Sequence, residues 1–67
     1  VEPYDAARMV TLDALRELDP RKADVIEMSY LLGLGREAIS SALAVSVATV
    51  DRDLRFARAW LQQRLVA

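Results

Sequence analysis

The sequence predicts an all-α domain, a small four-helix fold that contains a helix-turn-helix and no wing. Two observations lead there. Apolar residues recur at steps of three and four along the chain, while nothing alternates with the two-residue period of a strand for more than a few positions. Pro, Gly, Asp and Ser also stand where helices start and stop. At 67 residues there is room for one domain. The chain begins with Val1 rather than Met, which predicts a fragment of a longer protein.

The first helix is expected over 5–18, after Pro3 and capped by Asp5, with Met9, Leu12, Leu15 and Leu18 as its apolar stripe. Asp19 then caps a second helix that opens on Pro20, a residue suited to the first helical position. This helix should run to Leu32, with Ala23, Ile26 and Tyr30 on one face, Val25, Ser29 and Leu32 beside them, and Gly33 as a left-handed stop. A short third helix, 36–43, turns Ile39 and Leu43 inward. Ala44, Val45 and Ser46 form a turn, and Ser46 caps a fourth helix from Val47 to about Leu65. Val50, Leu54, Ala57 and Leu61 define its buried face.

Composition removes several functions. Without cysteine or histidine there is no disulfide, no thiolate zinc site and no ordinary neutral-pH general base, so no cofactor and no metal is expected. Carboxylates such as Glu17 and Asp19 lack a histidine or a glycine loop nearby, so an enzyme is not expected. No uncharged stretch is long enough to span a bilayer, and no leader is visible; the expected location is cytoplasmic. So small a domain buries about 60% of its unfolded surface and depends on helix packing. The net charge is −1, but it is unevenly spread. Residues 1–20 carry net −3, 21–46 balance, and 47–67 carry net +2 through Arg52, Arg55, Arg58 and Arg64 against Asp51 and Asp53.

The third helix, the turn and the fourth helix have the form of a helix-turn-helix. Such a unit needs a small residue at the crossing, an apolar residue in the turn and a cap on the outer helix; Ser40, Val45 and Ser46 supply them. With Val50, Leu54, Ala57 and Leu61 inward, 3.6-residue geometry turns Ala48, Arg52, Arg55 and Ala59 outward. The major groove of DNA admits one helix, and arginine can take guanine through two hydrogen bonds or hold a phosphate. Ser46 and Thr49, with the free N–H groups of a helix start, suit a phosphate. Each feature has a plainer reading. Arg52, Arg55 and Arg58 can be a solvated face, Asp51 and Asp53 partners of the helix dipole, and Phe56 with Trp60 core against the first helix.

Several segments, in order, carry a resemblance: Leu18 to Ala23, Tyr30 to Leu34, Glu37 to Ile39, Val45 to Asp53 and Ala57 to Leu61. Over roughly 12–65 the chain resembles the fourth region of sigma-70-family factors, most of all the extracytoplasmic-function (ECF) type. The resemblance implies a non-enzymatic domain that reads the −35 promoter element of double-stranded DNA while docked on the β-subunit flap of core RNA polymerase, with an anti-sigma factor as a further partner. Carried over by position, the DNA-binding residues are Arg36, Ser46, Ala48, Thr49, Asp51, Arg52 and Arg55.

This chain also departs from the pattern. Asp51 replaces a usual Lys or Arg, Val47 a common Pro, Ala44 a common Gly, Ser40 a common Ala and Gly35 a common Ser. An acid at position 51 repels phosphates, yet it can accept from a cytosine amino group. Two alternatives stand beside this reading. One is a degenerate helix-turn-helix that binds an anti-sigma partner or itself, suggested by the acidic first third and by Asp51. The other is a LuxR-type output domain, which shares the Val-Ser-x-x-Thr-Val core.

Overall fold

The computed structural model describes the backbone of residues 3–65 and the side chains of 11–64. Four helices follow in order: α1, Pro3–Leu18; α2, Pro20–Tyr30; α3, Arg36–Leu43; and α4, Val47–Leu65. No strand occurs among the described residues. The long α4 packs against each of the other three, so it is at once the floor of the core and the outer arm of the helix-turn-helix.

Local chemistry explains the boundaries. Asp19 has extended backbone and its carboxylate accepts from the Lys22 N–H, while Pro20 occupies the first turn, where no donor is needed. The end of α2 is closed by the N–H groups of Leu31 and Leu32 on the Glu27 carbonyl, at 2.9 and 3.3 Å. Gly33 follows at φ +68, a left-handed conformation that glycine takes without strain. Ser46 caps α4, accepting from the Thr49 N–H at 3.1 Å and donating to the Thr49 hydroxyl at 3.0 Å.

Three expectations at the ends need correction. α1 begins at Pro3 and contains Asp5, so Pro3 opens the helix and Asp5 is not its cap; the side chain of Met9 lies outside the described residues. Leu18 is 59% exposed. Steps of three residues turn by 300°, so the Leu12, Leu15, Leu18 stripe drifts 60° per step. Leu15 sits at its centre and is fully buried, and Leu18 has rotated out. α2 stops at Tyr30 rather than Leu32, and both residues are exposed. They lie past the buried layer of Ala23, Val25 and Ile26, where the only aromatic-cation contact on Tyr30 among the described residues is the Arg58 guanidinium, 5.6 Å from the ring centre.

Leu15, Ala23, Val25, Ile26, Ile39, Val50, Leu54 and Ala57 form the core, with Leu12, Met28, Leu43, Val45, Trp60 and Leu61 packed around it. One charge enters this layer. Asp53 is 2% exposed and accepts from Arg21 Nε at 2.7 Å, with Lys22 Nζ at 3.5 Å. It is therefore the hub of an α2–α4 ion-pair cluster and not a solvent-facing dipole partner. The cluster extends to Asp19, which Lys22 Nζ contacts at 2.7 Å. That hydrogen bond holds the Asp19 carboxyl below its ordinary pKa and raises that of Lys22. Phe56 also departs from expectation: it is 44% exposed, and its ring meets Lys22 Nζ at 5.0 Å on the α2 side. Across α1 and α2, Arg16 pairs with Asp24 and Glu27.

The α3–α4 turn carries strain. Ala44 is left-handed, at φ 55 and ψ 44. Ser40 secures the turn from both sides, donating its hydroxyl to the Val45 carbonyl while its own carbonyl accepts from the Val45 N–H at 3.1 Å. Left-handed backbone costs a non-glycine residue about 1–2 kcal/mol, and glycine's freer unfolded chain offsets part of that. Ala44→Gly is therefore expected to stabilise the domain by about 0.5–1 kcal/mol in thermal or urea unfolding. A loss of stability would show that the turn is held without strain.

Candidate nucleic-acid interface

The helix-turn-helix is built as its residues predict. Ile39 from α3 and Val50 from α4 are fully buried between the two helices, with Leu43 and Val45 packed beside them. This contact fixes α3 across the first half of α4, so the far side of that half faces solvent. Ser46, Ala48, Arg52 and Arg55 are exposed there, and Thr49 and Asp51 are half-buried. Of the seven residues singled out from sequence, six thus lie along α4 and its cap; the seventh, Arg36, reaches them from the first position of α3.

Their electrostatics differ. Arg52 and Arg55 have no ion pair or hydrogen bond among the described residues, so both guanidinium groups are available to a ligand. Arg36 is committed: its Nη1 donates to Asp51 Oδ1 at 2.9 Å. This hydrogen bond, and then the Asp51 charge, raises the Arg36 pKa further above its already high value. Asp51 is therefore a cross-helix partner of Arg36 and not chiefly a dipole partner of its own helix.

Beside this pair lies an open cleft between α4 and the link before α3. Ser29, Leu34, Gly35, Arg36, Asp51, Leu54, Arg55 and Arg58 line it. Sequence reasoning left Arg58 on the flank of α4, yet it joins Arg36 and Arg55 in one cleft. Its spacing of three from Arg55 was the available signal, since residues three apart on a helix are neighbours. Farther along, Arg64 turns back on α4: its guanidinium lies 3.7 Å from the centre of the Trp60 ring, and its Nη1 donates to the Trp60 carbonyl at 3.4 Å. Among the described residues no cluster of carboxylates could hold a metal ion, and no helix is long and apolar enough to cross a membrane.

A family model described as ECF sigma factor matches residues 7–67. The chain belongs to the ECF sigma factor family. Comparison with curated proteins and with solved structures gave no significant match. As an ECF sigma factor chain it serves transcription initiation through DNA and core RNA polymerase and has no enzymatic activity, and the LuxR-type alternative is set aside. In this sigma factor the helix-turn-helix places four arginines, Arg36, Arg52, Arg55 and Arg58, around the exposed first half of α4 and its cleft; among the described residues that line the cleft the one acid is Asp51.

Proposed function

We propose that this chain is the fourth region of the ECF sigma factor, which reads the −35 promoter element with the first half of α4. The observation that carries the reading is the pair Arg52 and Arg55, exposed on that half and without a partner among the described residues. Arg52 and Arg55 contact base edges or phosphates, Ala48 lets the helix approach closely, and Ser46, Thr49 and Arg36 hold the DNA backbone. Asp51 lies within the same surface.

The exposed Tyr30, Leu31, Leu32 and Leu34 form an apolar run at the end of α2 and the following link. Such a run supports a protein contact, which in this reading is the β-subunit flap of core polymerase, with an anti-sigma factor as the competing occupant. Work with RNA polymerase places the protein in the cytoplasm. The domain alone makes few phosphate contacts, and full affinity comes from tethering to a module that holds the −10 region.

The test is promoter-dependent transcription by the full-length factor. Arg52→Ala and Arg55→Ala are each expected to weaken specific binding by about 1–3 kcal/mol if the side chain reads a base. A phosphate contact would instead lower the slope of log K against log salt by about one unit and spare sequence preference. Unchanged transcription and unchanged salt dependence in both variants would end the DNA-reading proposal and favour a protein-interaction module.

A further inference from the structure

We propose that Asp51, the acid on the helix that faces DNA, strengthens the hold on a DNA phosphate by aiming Arg36. This rests on the DNA-reading role proposed above. An isolated carboxylate on that surface would repel the phosphate backbone. Here it is not isolated: Arg36 Nη1 lies 2.9 Å from Asp51 Oδ1, bridging the first position of α3 and the second turn of α4. The two side chains are unequally placed, with Arg36 62% exposed and Asp51 32%. An approaching phosphate therefore meets the cation first and the acid behind it.

Arginine carries five N–H donors, and among the described residues the pair uses one of them. The remaining donors stay available beside the cleft that Arg55 and Arg58 also line. A long side chain loses rotamer freedom when it grips a ligand; one already held by a carboxylate loses less. Exposed ion pairs contribute little to folding, so stability alone gives little reason for this one. Asp51 is thus a positioning residue that acts through Arg36.

The test is a double-mutant cycle in the full-length factor, read as affinity and salt dependence on a labelled duplex pool randomised over about one helical turn. Asp51→Ala and Arg36→Ala are each expected to weaken binding by about tenfold, the size of one charge-assisted hydrogen bond. The double variant should be no weaker than Arg36→Ala alone. Asp51→Asn, whose amide oxygen still accepts from Arg36, should keep most of the affinity and covers the case in which Asp51→Ala fails to fold. Tighter or unchanged binding by Asp51→Ala and Asp51→Asn, whether or not Arg36 is present, overturns the proposal and makes Asp51 a repeller or a bystander. Arg52→Ala is the control: if it weakens binding while the Asp51 variants do not, only the present inference fails; if it too has no effect, the DNA-reading role fails with it.

Discussion

Removing both cations around Asp53, as Arg21→Ala with Lys22→Ala, is expected to cost about 3–5 kcal/mol, because it strands a buried charge. Asp53 is 2% exposed, whereas Arg21 is 47% and Lys22 19% exposed, so the loss falls on the acid that cannot turn to water. A domain of this length has about 3–10 kcal/mol in all, at 0.05–0.15 kcal/mol per residue. The double variant should therefore lie near its unfolding limit, with a melting temperature lower by more than about 12 °C. Adding Asp53→Asn in that background should recover part of the loss, since the neutral amide costs less to bury. A melting temperature within a few degrees of the parent would show that water reaches Asp53 and that the cluster contributes nothing.

Ile39→Ala is the second large effect. Ile39 is fully buried and is the only fully buried side chain that α3 contributes among the described residues. Its truncation removes the transfer energy of the deleted methyl groups and leaves a cavity, about 2–5 kcal/mol together. The consequence reaches function because the same side chain holds α3 across α4. DNA affinity should fall with the folded fraction and beyond it, as the two helices lose their fixed crossing. Glu37→Ala, exposed on the same helix, should stay within about 0.5 kcal/mol of the parent in urea unfolding. Equal effects from the two variants would mean that α3 is held by its caps rather than by its core contact.

Much of the site was legible before any coordinates. The steps of four, three and four through Val50, Leu54, Ala57 and Leu61 gave the inward face of α4, and with it the outward placement of Arg52 and Arg55. Ser46 caps α4 and Gly33 is left-handed as the sequence predicts, while Ser40 ties the turn by donating to the Val45 carbonyl. The same wheel carries a signal for Asp53: position 53 lies 60° from Val50, at the edge of the buried face, where a charge needs a partner. Tyr30 is exposed because periodicity describes a helix face and not the length over which a neighbour covers it, and Leu18 because steps of three residues drift off that face. The Arg36–Asp51 pair had no local signal at all, since its members are fifteen residues apart on different helices.

The amino-acid sequence alone determined the four helices, most of their punctuation and the family, because caps, proline, glycine and apolar spacing act within a turn or two of the chain. Tertiary structure alone decided which charges are paired and which stand open. Arg36 meets Asp51, and Arg21 meets Asp53 across thirty-two positions, because crossed helices bring them together. Arg52 and Arg55 remain open because no described element crosses the outer side of α4. Coulomb attraction depends on distance in space, and only packing sets that distance.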